Sequence, residues 1–173
     1  MATSTVVVIG GGVIGLSTAY QLARKGVGRI VVLEKGPVGD GASSRAGGII
    51  TGLMWSTPGI LARKVSLALY RQLSQDLTGY SFHGVGCLNL FDSASWPERQ
   101  GLLPLYDQHD IPYEILDTQE MHYRWPDLNL NESLIGLHDP LGGYSEPHEY
   151  LPALAARVRE LGVEIQEGCQ VVD

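Results

Sequence analysis

Gly10, Gly12 and Gly15 stand at G-x-G-x-x-G spacing near the start of the 173-residue chain. Thr-Val-Val-Val-Ile (5–9) precedes them, a β-branched run that reads as a strand buried on both faces. Val13, Ile14, Leu16, Ala19, Tyr20, Leu22 and Ala23 follow at helical spacing, until Gly26 and Gly28 permit the helix to end. At such a strand-to-helix turn Gly10 allows the tight bend. Gly12 lets the backbone approach a pyrophosphate, and Gly15 lets the helix pack closely on the strand. The helix N-terminus then aims free N–H groups and a positive dipole end at the phosphates. A second run, Ile30-Val31-Val32-Leu33, closes on Glu34, 19 residues past Gly15. A carboxylate there accepts hydrogen bonds from ribose hydroxyls and repels a 2′-phosphate, which disfavours NADP. Strand, helix and strand make a βαβ unit with a right-handed crossover, and the pattern is a dinucleotide fingerprint open to FAD or NAD.

Beyond the loop 35–40, Gly41-Ala-Ser-Ser-Arg-Ala-Gly-Gly48 carries one bulky side chain, Arg45. Small residues let the backbone run beside a flat or phosphorylated ligand, and Ser43 and Ser44 offer hydroxyls. A second contact segment directly after the second strand favours the longer ligand, FAD. Residues 1–50 hold five bases against two acids and 11 of the 22 glycines, whereas the whole chain has net charge -7. A glycine-rich, mildly basic segment in an acidic chain suits a local anion site. The overall acidity disfavours sequence-independent nucleic-acid binding, which needs clustered Lys and Arg.

Val7-Val-Ile-Gly-Gly-Gly-Val-Ile-Gly-Leu-Ser-Thr-Ala-Tyr-x-Leu-Ala23 with Val31-x-Leu-Glu34 resembles the opening of flavoproteins related to D-amino-acid oxidase, glycine oxidase and sarcosine oxidase. The 41–50 segment is similar to that family's second FAD segment. Gly142, Gly143, Pro147, the helix after them, Gly162-Val163-x-Ile165 and Val171 are similar to its return into the FAD domain. Residues 80–135 match least. The resemblance implies that Gly10, Gly12, Val13, Ile14 and Gly15 hold the pyrophosphate, and that Glu34, with Lys35 beside it, holds the adenosine ribose. It implies that Ala42, Ser43, Arg45 and Ala46 line the pyrophosphate and ribityl chain, that Gly47, Gly48 and Ile49 approach the isoalloxazine, and that Val171 meets the adenine through its backbone.

Two departures carry consequences. Some relatives attach FAD covalently through a histidine at the position of Arg45, so the arginine implies non-covalent FAD. Monomeric sarcosine oxidases place a carboxylate-binding arginine shortly after the second segment, where this chain has Thr51, Gly52 and Leu53. The resemblance further implies oxidation of the C–N bond of an amine or amino acid by hydride transfer to flavin, with oxygen or another acceptor as oxidant. No catalytic residue is assigned. Family members continue well past residue 173, so the chain reads as the N-terminal portion of such a protein: one chain of a split enzyme, a processed product or a truncated gene. The alternatives are a non-catalytic FAD-binding fragment or subunit that needs a partner chain, and an NAD-dependent dehydrogenase, which would leave 41–50 without a role.

The elements that position these residues continue with an amphipathic helix over 59–77. A strand follows over 85–91, a helix over 97–109 and a strand over 112–116. Asp117-Thr-Gln-Glu120 has the pattern of a capping box, and Trp125-Pro126 ends the helix it starts. A strand over 134–138, a turn at 142–147, a helix over 148–161 and strands over 163–165 and 170–172 complete the reading. The fold class expected is α/β: a Rossmann-type FAD-binding domain with a parallel sheet, plus the start of a mainly antiparallel α+β substrate domain. The divisions are 1–79, 80–141 and a return over 142–173.

Cys87 and Cys169 are too few and too far apart for a disulfide scaffold or a CxxC motif, and read as reduced thiols. With no signal-peptide pattern and no apolar run of membrane length, the expected location is cytoplasmic. His83, His109, His122, His138 and His148 form no HxH or HExxH, so no metal is expected. His83 and His138 are the two histidines with a claim to a substrate cavity. Met54 and Trp55 read as core or as active-site wall, and Tyr80, Phe82, Trp96, Tyr106 and Tyr113 as core or interface residues of the second domain. The expected partners are a small amine or amino acid and a second polypeptide supplying the missing half.

Overall fold

The computed structural model describes residues 5–130 and 133–172, and Asp173 lies outside them. They divide into two compact units: 1–48, 73–81 and 145–173 in one, 49–72 and 82–144 in the other. Residues 49–72, part of the 1–79 segment of the sequence reading, group with the second unit.

In the first unit, β1 (Thr5–Ile9), α1 (Val13–Arg24) and β2 (Arg29–Leu33) form the βαβ unit that the glycine spacing predicts. β1 and β2 pair in parallel, Val7 opposite Val31 and Ile9 opposite Leu33. β9 (Glu164–Gln166) joins the other side of β2, also parallel, giving the order β1-β2-β9. Between them in sequence lies α6 (Pro147–Glu160), whose face of Leu151, Leu154, Ala155 and Val158 is buried. Helix α1 buries Leu16, Ala19 and Tyr20 and packs on α6. Leu73, Leu77 and Tyr80 are buried in the same unit.

The burial expected on both faces holds for β2, where Ile30, Val31 and Val32 are all buried, and fails for β1. Val7 and Ile9 are 53% and 68% exposed. β2 is central and flanked on both edges, whereas β1 is an edge strand in the described sheet. The strand expected over 170–172 is likewise absent: β9 ends at Gln166 and the chain turns at 167–168.

Among the described residues the second unit holds two sheets. β3 (Ile49–Ile50), β8 (Gly143–Ser145) and β4 (Phe82–His83) form one, with Ile50 opposite Gly143. β5 (Cys87–Phe91), β7 (Ile135–Asp139) and β6 (Glu114–Leu116) form the other, wholly antiparallel, in the order β5-β7-β6. This is the expected antiparallel character. β3 and β8 are too short for an alternation pattern to reveal. α2 (Thr57–Asp76) contributes Ile60 and Leu67 to the core, while Leu61 and Val65 are exposed. The helix expected over 97–109 is two short ones, α3 (Trp96–Gln100) and α4 (Leu103–Gln108), each opening on a proline that lacks the N–H of a continuous ladder. The capping box at α5 (Thr118–Arg124) is present: Glu120 N–H donates to Asp117 Oδ1 at 2.8 Å, and Asp117 N–H to Glu120 Oε2 at 3.0 Å. Leu53, Ile60, Tyr106, Ile111 and Leu137 form the main core, and Leu116, Met121 and Leu130 a smaller one.

Candidate functional site

The cradle forms where β1 turns into α1. Gly10 leaves the strand at φ +104°, a conformation that favours glycine. A Cβ on Gly15 would collide with the carbonyl oxygen of Gly10, so α1 begins hard against the strand end. A Cβ on Gly12 would lie 2.9 Å from Ser43 Oγ. Two amides at this turn are held by side chains from further along the chain. Gly11 N–H donates to Glu34 Oε2 at 2.6 Å, and Val13 N–H donates to Ser43 Oγ at 3.0 Å. The first turn of α1 contains no acidic residue, so its positive dipole end carries no competing charge of its own.

Glu34 also accepts from Gly36 N–H through Oε1 at 3.0 Å. The Gly36 and Gly11 amides, in that order, hold its carboxyl below the ordinary 4.5. It is therefore ionised at neutral pH, ready to accept from hydroxyls and to repel phosphate at the end of β2. Glu34 N–H donates to Gln166 O at 2.9 Å, and Cys169 N–H to Glu34 O at 2.8 Å. These bonds bring the end of β9 and its turn against the same residue, and Val171, 46% exposed, follows two residues on.

Residues 41–45 wind through turns. Gly39 N–H donates to Gly11 O at 3.1 Å, which ties the start of this segment to the glycine turn. Lys35, Ala42, Arg45, Ala46 and Gly47 are exposed, as is Ile14. Gly48 has φ +69°, and a Cβ there would clash with Ser145 O, whose own amide donates to Gly48 O at 2.9 Å. Gly10, Gly12, Val13, Ile14, Gly15, Glu34, Lys35, Ala42, Ser43, Arg45, Ala46, Gly47, Gly48 and Val171 thus share one unit, whereas Ile49 opens β3 in the other and is exposed. A turn that favours glycine, a helix whose own first turn carries no acid and an ordered carboxylate at the second strand fit the diphosphate and ribose of a dinucleotide.

The second unit contains two arrangements that sequence reasoning missed. Asp139, at the end of β7, is 1% exposed and accepts from Thr51 Oγ1 at 2.9 Å, Gly52 N, Leu141 N and Gly142 N. It ties the 51–52 loop to the 139–142 turn. Arg99, on α3, is 4% exposed. Its guanidinium lies 3.5 Å from the ring centroid of Trp55 and 5.3 Å from that of Phe91. Nη1 donates to Tyr106 Oη at 2.6 Å and to Leu53 O at 3.2 Å. Burial pushes the Tyr106 hydroxyl up, against the downward pull of Arg99. A stacked, desolvated cation is worth about 2 kcal/mol, well short of the several kcal/mol that burying an ion costs. Neither residue belongs to a motif, and nothing in their local sequence marks them.

Met54 is partly buried against the main core, and Trp55 is 57% exposed. His138 pairs through Nδ1 with Glu114 Oε2 at 2.8 Å, which Arg124 shares at 2.5 Å, and His83 stacks on Tyr144 with centroids 4.5 Å apart. Both histidines thus pack on protein groups. Tyr106 is core as expected, while Tyr80 is buried in the first unit instead of the second. Among the described residues no group of three His, Cys, Asp or Glu is placed to hold a metal, and no helix is long and apolar enough to cross a membrane.

A glycine-turn βαβ unit with a parallel sheet, and a second unit with antiparallel strands, are the elements of a flavoprotein-type oxidoreductase fold. The chain belongs to the FAD-dependent oxidoreductase family typified by D-amino-acid oxidase, whose sequence model matches residues 5–173. It is 34% identical over 166 residues to rat mitochondrial dimethylglycine dehydrogenase, covering 91% of this chain and 19% of that protein. It is 28% identical to sarcosine oxidase subunit beta of an Arthrobacter species, covering 96% of this chain and 43% of that one. The L-proline dehydrogenase structure from P. horikoshii superposes with a TM-score of 0.90 at 27% identity, over 98% of this chain and 45% of the other. The chain spans under half the length of each of these relatives.

Proposed function

We propose that this chain is the nucleotide-binding portion of an FAD-dependent amine or amino-acid oxidoreductase, and that it holds FAD non-covalently. The observation that carries the reading is the cradle: Gly10, Gly12 and Gly15 at the start of α1, with the ordered Glu34 carboxylate at the end of β2. Bound FAD supplies the two-electron acceptor for C–N oxidation. The chain's own part is binding and orientation. The amides and dipole of α1, with Val13 and Ile14, receive the pyrophosphate. Ser43 Oγ, now on Val13 N–H, exchanges that bond for a phosphate contact, and Ala42, Arg45 and Ala46 line the same stretch. Glu34 accepts from the adenosine ribose beside Lys35, and the backbone of Val171 meets the adenine. Gly47, Gly48 and Ile49 face the ring system. Arg45 replaces the histidine through which a covalent link would form.

The named substrates of the relatives, dimethylglycine, sarcosine and proline, support a small secondary or tertiary amino acid as substrate. The relatives' greater length supports a further polypeptide, continuous or separate, that completes the enzyme. The free thiols of Cys87 and Cys169 support a reducing compartment, the cytoplasm.

The test is the visible spectrum of the purified protein, before and after denaturation and filtration. Flavin bands that pass into the filtrate are the expected result. Flavin retained on the denatured chain refutes the Arg45 argument. A colourless protein that takes up no added FAD refutes the cofactor reading.

A further inference from the structure

We propose that Arg99 is the receptor for the carboxylate of an amino-acid substrate. The inference rests on the functional reading above and deepens it, since that reading leaves the substrate's anionic end without a partner.

Arg99 is a 4%-exposed cation, and among the described residues no carboxylate pairs with it. Its Nη1 makes both of its hydrogen bonds, to Leu53 O and Tyr106 Oη. Its Nε is buried and has no acceptor among the described residues. A guanidinium binds a carboxylate through two parallel N–H groups on one edge, and Nε with Nη2 forms such an edge. The Nη1 bonds to one helix and one loop fix the plane of the fork in advance. The rings of Trp55 and Phe91 keep water from the cation, which strengthens its pull on an anion.

Its surroundings also supply a route of entry. Leu53 and Tyr106 are buried at 3% and 0%, while Trp55, stacked on the guanidinium, is the exposed member of the group. Rotation of the indole opens the cation without disturbing the core, and the same contact makes Trp55 a reporter of occupancy. An arginine serving only as an internal pin would leave both a charge and a donor unmet in the working protein, a cost of the kind that native interiors rarely carry.

The test is a titration of the full chain with N-methylglycine, followed by tryptophan fluorescence, with the uncharged N-methylglycinamide as control and Trp55→Phe to assign the signal. The expected result is a saturable change that the amide does not produce and that Trp55→Phe removes. Arg99→Lys keeps the charge but loses the fork, and is expected to weaken binding at least tenfold. Arg99→Gln is expected to abolish it. If Arg99→Gln fails to fold by circular dichroism, the lysine variant decides. Equal affinity in Arg99→Lys, an equal response to the amide, or no saturable response in the unmodified chain overturns the assignment. FAD uptake by the same samples separates the two readings. A chain that takes up FAD but ignores N-methylglycine refutes the role of Arg99 alone. One that binds N-methylglycine through Arg99 but takes up no FAD refutes the functional reading alone.

Discussion

Alanine placed at Gly15 and at Gly12 separates the two duties of the glycine turn. At Gly15 the new Cβ meets a backbone carbonyl oxygen, that of Gly10, and no side-chain rotation relieves it. Helix α1 must lift from β1. Overpacking against a rigid neighbour costs about 3 kcal/mol, and the better helix propensity of alanine returns about 1 kcal/mol. The net loss is about 2 kcal/mol, which for a chain of this size lowers Tm by roughly 4–8 °C. At Gly12 the backbone is at φ -80° and ψ -176°, which alanine adopts freely, and the Cβ meets only Ser43 Oγ. The hydroxyl swings away at the cost of its bond to Val13 N–H, about 1 kcal/mol, and Tm falls by roughly 2–4 °C. The same methyl stands in the proposed path of the pyrophosphate, so FAD affinity is expected to fall at least tenfold. Thermal unfolding by circular dichroism and quenching of FAD fluorescence measure the two effects. A Gly15→Ala protein with unaltered Tm refutes the close approach of α1 to β1. A Gly12→Ala protein that binds FAD as tightly as the parent refutes the seat of the pyrophosphate.

Asp139→Ala strips four hydrogen bonds from a buried carboxylate and leaves the amides of Gly52 and Leu141 unmet, while Gly142 N–H keeps its bond to Asp139 O. A loss of about 3 kcal/mol or more is expected in urea unfolding, with Asp139→Asn milder because it keeps one acceptor oxygen; equal stability of the alanine variant and the parent contradicts this. Glu34 carries the main pH prediction. Its carboxyl is held below 4.5 in the folded chain, so its contribution is complete above that pH and is lost as pH falls through the depressed folded value. Glu34→Gln is therefore expected to flatten the acid limb of a stability–pH curve measured between pH 6 and 3, and an unchanged limb speaks against the Gly36 and Gly11 bonds.

The local elements were legible because their signals are local. The capping box needs only Asp117 and Glu120 three residues apart, and the βαβ turn needs only glycines where a Cβ has no room. The 97–109 stretch misled because its apolar spacing runs on while Pro97 and Pro104 each remove an N–H and restart a helix. β1 misled for another reason. Val-Val-Val-Ile fits a strand covered on both faces, yet Val7 and Ile9 are open because cover depends on which elements stack there, and β1 lies at the edge of the described sheet.

By itself the sequence determined the glycine turn at the start of α1 and the acid that closes β2, since both are constraints of backbone geometry and short range. Only the tertiary structure decided that Glu34 is already anchored by Gly11 and Gly36, that Asp139 knots the 51–52 loop to the 139–142 turn, and that Arg99 lies buried beneath Trp55 with no counter-charge among the described residues. Each of these joins residues distant along the chain or depends on burial. Hydrogen bonding and desolvation act through space, so no spacing along the chain records them.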